Sequence, residues 1–407
     1  MATNTALPGS STDWENFPPT QFVPIHGHIE ARFRLSTGTW STPTLVSGTD
    51  ISVSGLSPGL NYGQQCYEGM KAFRQAAAGG PRGREKERIV IFRPEFHADR
   101  MARSAASVCL PPPPQELFLE CVRQAVAANA EFVPPADSDS AFLYIRPVLF
   151  GSSTSLWGLG DEVILAVYVQ PARPHHGQQA LKAVVSDDFD RSAPRGMGKY
   201  KVGGNYAPVW RHIGKASKMG YGIVLHLDSA THSCVEEFST SAFLGHRISA
   251  DGQHVLVVPD AENAMESTTS KSLATLAQQE GWIVETNKLP LSSLKDLDEV
   301  VACGTAASAV PIESIERLST GEKFAFPDVH QAWNLAGLAT RMSDIQRGRA
   351  DDREGWCWEV TGFPEEGCAN TDDASLPKSN GLESFFPWRP LLAMLSSFGT
   401  SSKVPAA

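Results

Sequence analysis

Two lysines and two adjacent glycines stand near the middle of the chain, in the stretch Gly198-Lys199-Tyr200-Lys201-Val202-Gly203-Gly204-Asn205-Tyr206. A lysine that acts as a nucleophile toward an aldehyde must be at least partly neutral, and burial or neighbouring charges can lower its pKa. Glycines beside it allow a backbone or a cofactor to approach closely. Apolar residues recur at helical spacing between Asn205 and Met219, which predicts an amphipathic helix with the lysine at its entrance. The pattern alone fits a solvated surface turn as well as a nucleophile.

Two arginines lie in positions that suit anion binding. Arg93 ends the apolar run Ile89-Val90-Ile91-Phe92, directly ahead of a predicted helix. The planar guanidinium of an arginine can pair with two phosphate oxygens at once, so a phosphate site is one interpretation of Arg93. Arg146 lies in an apolar strand at 141–150, and the two-residue period of a strand places Tyr144 on the same face. A buried arginine needs a partner, and a structural salt bridge is the simplest one.

Hydroxyl-rich turns supply further candidates for anion binding. Thr268 and Thr269 open a predicted helix, and the exposed N–H groups of such a helix start bind phosphate readily. Thr305 lies in a Gly-Thr-Ala turn after a strand, where successive backbone N–H groups form a similar concave site. Two adjacent glutamates, Glu236 and Glu237, precede a third turn of this kind. Their composition alone indicates a solvated turn.

Composition excludes several classes of protein. The chain has 407 residues, 42% of them hydrophobic, which is enough for two packed domains. Its formal net charge of -10 argues against a nucleic-acid partner, because such binding draws on clustered Lys and Arg. No apolar run reaches the roughly 18 to 20 residues of a membrane span, and the polar N-terminus lacks the pattern of a signal or transit peptide. Seven cysteines without a C-x-x-C pair predict reduced thiols, no metal site and a cytoplasmic protein.

Several motifs resemble those of one enzyme family. Lys201-Val202-Gly203-Gly204-Asn205-Tyr206 is similar to the K-x-G-G-N-Y signature of the branched-chain amino acid aminotransferases. These are class IV aminotransferases, pyridoxal 5′-phosphate (PLP) enzymes of fold type IV. The segment from Asn61 to Phe73 resembles the family's H-Y-x-x-x-x-F-E-G-M-K-A-F, and similar segments follow in the same order as far as Trp358. The chain is identified on these motifs as a member of the family, and it resembles the fungal type.

The resemblance implies a role for each candidate residue. It makes Lys201, and not Lys199, the lysine that forms the Schiff base (aldimine) with PLP and moves the substrate's proton. Glu236 would keep the pyridine nitrogen protonated, and Tyr206 would hydrogen-bond the phenolic oxygen of the ring. The PLP phosphate is assigned to Arg93, Thr268, Thr269 and Thr305. The substrate pocket is assigned to Tyr62, Tyr144, Arg146, Ser239 and Ala306.

Two of these matches are displaced or incomplete. The family's E-x-x-x-x-N-x-F pattern falls on the segment that ends at Phe243, and counting back from Phe243 selects Glu236. The family's Asn is Ser241 in this chain, which removes an amide beside the site. The family's L-P-G-x-x-R segment matches at Thr268 and Thr269, but its glycine and arginine are missing here.

The resemblance also implies the organisation of the chain. It predicts an α/β protein of two domains, similar to the D-amino acid aminotransferases, with PLP in the interdomain cleft. A homodimer is expected, in which the partner helps to close the site. The predicted parts are a flexible arm at 1–20, a small domain at 21–170, a linker at 171–178, a large PLP-binding domain at 179–362 and a tail at 363–407.

The expected reaction is the transfer of an amino group from a branched-chain or other apolar L-amino acid to 2-oxoglutarate. An alternative is a larger, unusual amino acid that serves secondary metabolism. It is motivated by departures from the family pattern at Ile25, Gly27, His175, His176 and Ser241. Within fold type IV, a D-amino acid or (R)-amine aminotransferase and an aminodeoxychorismate lyase also stay open, as does a PLP-binding homologue without enzyme activity.

Overall fold

Apolar strand segments build two β-sheets. The computed structural model describes residues 13–14, 22–76, 87–156, 160–174, 179–326 and 334–363. The strands of the first sheet are β1 Gly27–Arg34, β2 Thr39–Trp40, β3 Thr44–Ser47, β4 Gln65–Tyr67, β5 Met70–Gln75, β6 Arg88–Phe92, β7 Phe142–Gly151, β8 Glu162–Ala172 and β19 Cys357–Glu359. The strands of the second sheet are β9 Leu181–Val185, β10 Ile223–Leu227, β11 Cys234–Phe238, β12 Ala242–Ile248, β13 His254–Pro259, β14 Ile283–Asn287, β15 Leu289–Pro290, β16 Glu299–Gly304, β17 Ser308–Arg317 and β18 Glu322–Ala325. The α-helices are α1 Pro58–Tyr62, α2 Pro94–Ser107, α3 Gln115–Ala128, α4 Trp210–Lys218, α5 Thr268–Gln279 and α6 Asn334–Gln346.

The first sheet is antiparallel, and β7 lies near its centre. β7 pairs with β8 over ten residue pairs on one side, and on the other side it meets first β4 and then β5. Pro147 has no N–H to donate, and it lies where Glu68 and Gly69 separate β4 from β5. The Pro147 carbonyl accepts a hydrogen bond of 2.9 Å from the Glu68 N–H. This interruption of the ladder frees the Glu68 side chain to reach α2.

Six strands of the second sheet close into a ring. The path β12-β16-β17-β9-β10-β11 is completed by a pairing of β11 with β12, at Glu237 opposite Ala242. Phe238 and Ser241 exchange backbone hydrogen bonds, so the hairpin between these strands has a loop of only two residues. Ring closure brings this hairpin loop next to the turn at Gly304. Two hydroxyl-rich turns that are distant in sequence therefore lie side by side.

A shared apolar core lies between the two sheets. Phe73 and Phe142 from the first sheet pack in one buried cluster with Leu244 and Val301 of the second and with Leu273 of α5. Each large apolar side chain buried in this way contributes about 1.5–3 kcal/mol to folding. The last strand, β19, returns to the first sheet and pairs with β6. The described residues fall in one compact unit, and the division into a small and a large domain stays a prediction.

The helix predicted directly after Lys201 begins later than expected. Gly203–Asn205 and Ala207–Val209 form two 3₁₀ turns, and the α-helix starts only at Trp210. Two adjacent glycines each cost a helix roughly 1 kcal/mol, and the proline in the second turn removes a backbone donor. The lysine is therefore held by an irregular segment whose position depends on contacts with other elements.

Three predicted features lie wholly or largely outside the described residues: the N-terminal arm 1–20, the linker histidines His175 and His176, and the tail 363–407. Within the described ranges, no helix has the length and apolar character needed to cross a membrane. The same ranges contain no cluster of His, Cys, Asp and Glu with the arrangement of a metal site.

Candidate active site

Residues from both sheets line a cavity of about 600 Å³. Seven of the predicted site residues lie on its walls: Lys201, Tyr206, Tyr144, Arg146, Thr268, Thr305 and Ala306. The other five, Arg93, Tyr62, Glu236, Ser239 and Thr269, do not line it. The motifs therefore identify the right region, and each of the five absent residues has a specific structural reason.

Lys201 projects into the cavity from a backbone that is held on two sides. Its N–H donates to the Ser104 hydroxyl at 3.0 Å, and its carbonyl accepts from the Tyr67 N–H at 3.1 Å. Its Nζ lies 3.0 Å from the Tyr206 hydroxyl and 4.8 Å from the centroid of the Tyr67 ring. Lys199 is exposed and does not line this cavity. Of the two lysines, only Lys201 can reach a molecule bound there.

Tyr206 and Tyr67 form an aromatic wall beside Lys201. Their ring centroids lie 5.2 Å apart in an edge-to-face arrangement. Burial alone would raise the pKa of Tyr206, but the positive charges of Lys201 and Arg191 outweigh this effect and lower it. Burial raises the pKa of Tyr67 far above its ordinary range. Tyr206 is therefore the phenol of this pair that is prepared to accept hydrogen bonds from a ligand or to lose its proton.

Glu236 points away from the cavity, which corrects the expectation from the motif count. Its carboxylate accepts from the Ser192 hydroxyl at 2.5 Å and from the Asn263 amide at 3.1 Å. Adjacent residues of a strand face opposite sides, so its neighbour Glu237 faces the cavity instead. The count placed the glutamate seven residues before Phe243, whereas the glutamate on the cavity wall stands six residues before it.

Glu237 is buried beside Lys201 and Tyr206. It accepts from Arg191 and, at 3.2 Å, from the Met265 N–H. Burial raises the pKa of Glu237 to about 7, although the charge of Arg191 opposes the shift. The ionised form of the Glu237 carboxylate is stabilised when a positively charged, protonated group binds next to it. Arg191 was not a predicted site residue.

The same shift of one residue displaces Ser239. Its side chain is fully buried behind the cavity, where its hydroxyl lies 2.8 Å from Nε2 of His226. Its carbonyl accepts from Arg191 at 3.2 Å. The two following residues, Thr240 and Ser241, line the cavity. Ser239 is therefore not in a position to contact a molecule in the cavity, whereas these two residues are.

Arg93 does not reach the cavity, because its side chain is engaged elsewhere. Its Nη1 donates to the Ser272 hydroxyl at 2.8 Å, and its guanidinium lies 5.0 Å from the centroid of the Trp356 ring. Its N–H also donates to the Trp356 carbonyl, at 2.7 Å. Arg93 thus joins the segment before β19 to α5. A phosphate role does not fit this position.

Arg100, two turns further along α2, lines the cavity in its place. Its Nε and Nη2 donate to the two carboxylate oxygens of Glu68 at 2.6 and 2.7 Å, and its Nη1 donates to the Glu266 carbonyl at 2.6 Å. Nδ1 of His97 lies 2.6 Å from the same carboxylate. Burial alone would lower the pKa of Arg100, but Glu68 raises it, so the guanidinium stays charged. His97 and Arg100 lie three residues apart on one face of α2, and this spacing was the sequence signal that could have identified Arg100 as a site residue.

Hydroxyl groups gather at the N-terminus of α5. Thr268 lines the main cavity, and the helix start is capped by Ser267, whose hydroxyl accepts from the Ser270 N–H at 3.2 Å. Thr269 lines a small adjoining cavity, whose walls also include Thr268 and Thr305. The helix dipole and the free N–H groups of the first turn favour an anion at this end.

Tyr144 and Arg146 share one face of β7, as the strand period predicted. The Arg146 Nη2 donates to the Tyr144 hydroxyl at 2.8 Å, and its guanidinium lies 4.7 Å from the centroid of the Tyr67 ring. In the described part of the chain no carboxylate pairs with Arg146, which removes the salt-bridge interpretation. A Cβ at Gly69 would lie 2.1 Å from the Tyr144 hydroxyl oxygen, so a larger residue there would force the Tyr144 side chain to move.

Tyr62 lies on the molecular surface at the end of α1. It is 62% exposed, and its hydroxyl donates to the Leu156 carbonyl at 2.6 Å. Leu60 and Leu156 are also exposed beside it. Within one protomer, Tyr62 is therefore part of an apolar surface patch and not of the cavity wall.

The departures from the family pattern in the first strand do not face the cavity either. Ile25 belongs to the core of the first sheet, and Gly27 packs so tightly on the Val46 carbonyl that no Cβ fits. Phe22 lines the cavity instead, in a segment whose backbone at Val23 is held by two hydrogen bonds with the Gln170 side chain, at 3.0 and 2.9 Å. Phe22 was missed because no periodic pattern precedes the strand.

Comparison with known proteins places this geometry in a family. The family model described as amino-transferase class IV matches residues 66–315. Transaminase htyB of Aspergillus rugulosus is 43% identical over 368 residues, which cover 87% of this chain and 94% of the relative. Branched-chain amino acid aminotransferase gloG of Glarea lozoyensis is 41% identical over 371 residues, which cover 89% of this chain and 99% of the relative.

Solved structures show the same fold. The branched-chain amino acid aminotransferase of Escherichia coli superposes with a TM-score of 0.62 at 23% identity, over 82% of this chain and 100% of that one. The enzyme of Thermobaculum terrenum in its PLP form gives a TM-score of 0.63 at 21% identity, over 83% and 99% of the two chains. The expected α/β architecture of PLP fold type IV is thereby confirmed. With its motifs, its fold and its relatives in agreement, the chain belongs to the class IV aminotransferases.

Proposed function

We propose that this aminotransferase uses PLP to transfer the amino group of branched-chain or similar apolar L-amino acids to 2-oxoglutarate. The observation that carries the proposal is the convergence of Lys201, Tyr206, Glu237 and Arg100 on one cavity. An amine, a phenol, a buried carboxylate and a charged guanidinium match the aldehyde, phenol, ring nitrogen and phosphate of PLP. When bound, PLP supplies an electron-withdrawing ring that stabilises negative charge at the substrate's Cα.

Lys201 and Tyr206 would carry the proton transfers. The Lys201 Nζ is the amine on the cavity wall, so it can hold the cofactor and, once released, move the proton at the substrate's Cα. The Tyr206 hydroxyl, 3.0 Å away, orients this amine. Ser104 fixes the Lys201 backbone, which limits where the Nζ can move.

Glu237 would hold the proton of the ring nitrogen. Its buried carboxylate faces the cavity, and Arg191 and the Met265 N–H fix its orientation. Glu236, the residue that the motif count selects, faces Ser192 and Asn263 outside the cavity, so we assign the role to its neighbour. The protonated ring nitrogen would stabilise the ionised Glu237 carboxylate, and the carboxylate would in turn stabilise the protonated nitrogen.

The phosphate would lie at the N-terminus of α5. Thr268, Thr269 and Thr305 surround this position with hydroxyls and backbone N–H groups, and Arg100 supplies a charge that Glu68 holds in place. Arg100 replaces Arg93 in this assignment. The charged guanidinium and the helix dipole both favour a dianion there.

Tyr144 and Arg146 would orient the substrate. Arg146 has its hydrogen bond to Tyr144 but no carboxylate partner among the described residues, so it can pair with the distal carboxylate of 2-oxoglutarate. The walls near Gly69 and Ala306 are apolar and small, which suits an aliphatic side chain. One pocket can thus accept both an apolar donor and an acidic acceptor.

We also propose that the protein is a homodimer in which Tyr62 reaches the partner's cavity. The exposed patch of Leu60, Tyr62 and Leu156 supports this, as does the resemblance that placed Tyr62 at a substrate pocket. Tyr62→Ala should lower kcat/KM for leucine roughly 10- to 100-fold, because a buried aromatic contact contributes about 1.5–3 kcal/mol. Co-expression of Tyr62→Ala with Lys201→Ala should restore kcat/KM to the wild-type value per active site, because the hybrid dimer contains one site with both native residues. Monomeric protein in sedimentation, or hybrids with no recovery, would contradict the proposal.

A donor series tests the substrate class. We expect L-leucine and L-isoleucine to be preferred donors, and D-leucine and (R)-1-phenylethylamine to be poor ones.

The alternative of a larger donor in secondary metabolism is favoured by small residues on the cavity wall, which include Gly69, Ala242 and Ala306. Each extra buried methylene contributes about 0.8 kcal/mol, so a wider pocket should prefer 2-aminooctanoic acid to leucine by roughly tenfold or more in kcat/KM. Such a preference would replace the branched-chain assignment.

The cytoplasmic location also remains a proposal, based on the cysteine pattern.

A further inference from the structure

Lys71 of β5 is a buried lysine that no proposed role has yet used. It is 5% exposed, its Nζ donates to the Ser308 hydroxyl at 2.8 Å, and the ammonium lies 4.0 Å from the centroid of the Phe142 ring. Within the described residues no carboxylate pairs with it, and the charged neighbour that acts on it is another cation, Arg347. Burial, and then Arg347, lower the pKa of Lys71 to about 7.

The surroundings of Lys71 indicate what could balance its charge. It lines the small cavity whose walls include Thr268, Thr269 and Thr305, the hydroxyl residues assigned to a phosphate. Its hydrogen-bond partner Ser308 begins β17 with a left-handed φ of 61°, directly after the turn that holds Thr305. Lys71 is therefore placed behind the turn and the helix start that face the main cavity.

A buried ammonium without a counter-ion is costly, and an anion in the adjoining cavity would hold the Lys71 amine in its charged form. We propose that Lys71 is a counter-ion of the PLP phosphate, beneath the anion site formed by the α5 N-terminus and the 304–308 turn. The inference rests on the proposed function, because it takes this cavity for the phosphate site. It adds a second cation to Arg100: Arg100 lines the main cavity and Lys71 the small one, and Thr268 and Thr305 line both.

The proposal predicts effects of opposite sign on stability and on binding. Lys71→Met keeps the length of the side chain but removes the charge. Without cofactor, the variant should unfold at the same temperature as the wild type or higher, because a poorly compensated buried charge is gone. Its affinity for PLP should fall by roughly 10- to 100-fold, the range for loss of a charged hydrogen-bonding partner. A lysine with a merely structural role would instead lower the unfolding temperature.

The experiment uses the full-length protein, depleted of cofactor and titrated with PLP, with calorimetric unfolding measured before and after loading. Lys71→Arg should bind PLP more tightly than Lys71→Met, and Ser308→Ala should lose less affinity than Lys71→Met, because both keep the charge. The surface variant Lys215→Met is the control for loss of a lysine, since Lys215 pairs with Asp188 far from the cavity wall.

Two results would overturn the inference alone. The first is a Lys71→Met variant that binds PLP with wild-type affinity. If its KM for the amino acid and the 2-oxo acid nevertheless rises, Lys71 would instead be assigned to the substrate carboxylate. The second is a variant that fails to fold or unfolds at a lower temperature without cofactor. Wild-type protein that binds no PLP would overturn the proposed function and this inference together.

Discussion

Lys201→Ala should abolish amino transfer and remove the visible absorbance of lysine-bound PLP, whereas Lys199→Ala should leave both largely intact. We expect this outcome because only the Lys201 Nζ lies on the cavity wall, 3.0 Å from the Tyr206 hydroxyl. Loss of the group that both holds the cofactor and moves the proton should lower kcat by roughly 10⁴-fold or more. Spectra and initial rates of the two variants provide the measurement.

Lys199 is the matched control for this prediction. It is exposed and lies two residues away on the same segment, so its removal changes the local charge equally without changing the cavity wall. Retention of the absorbance band in Lys201→Ala together with its loss in Lys199→Ala would reverse the assignment.

Glu237→Gln should leave PLP bound but slow the chemical step by roughly 10² to 10³-fold, in line with removal of a charge that acts mainly in the transition state. An amide cannot stabilise a protonated ring nitrogen as a carboxylate does. The measurement is a single-turnover rate with L-leucine, which separates the chemical step from cofactor binding.

Glu236→Gln is the neighbouring control. Its carboxylate contacts Ser192 and Asn263 and does not line the cavity, so its variant should retain a rate close to that of the wild type. A slower reaction in Glu236→Gln than in Glu237→Gln would restore the glutamate selected by the motif count and contradict the geometry.

The difference between these two glutamates shows where sequence reasoning was limited. A motif fixes the approximate place of a residue, but the side of a strand changes with every residue, so a hairpin shorter by one position exchanges Glu236 for Glu237 and Ser239 for Thr240. Lys201 and Tyr206 both line the cavity, and the motif that contains them has no change in length. The chemical roles of these residues stay predictions.

Arg93 and Tyr62 were misplaced for other reasons. A guanidinium at the end of a strand can turn in either direction, and the Trp356 segment that attracts Arg93 is more than 250 residues away in sequence. Tyr62 lies on the surface of this chain at the end of α1, and its place at a substrate pocket stays a prediction. The fold was predictable from the order of motifs, whereas these side-chain contacts depend on tertiary structure.

The most direct test of PLP-dependent amino transfer is the visible spectrum of purified wild-type protein, recorded before and after addition of L-leucine and again after addition of 2-oxoglutarate. We predict a yellow protein whose absorbance is bleached by leucine and restored by 2-oxoglutarate, and a Lys201→Ala variant that shows neither change. A colourless protein that cannot be loaded with PLP, or a yellow protein whose spectrum does not respond to any amino donor, would contradict the proposed function.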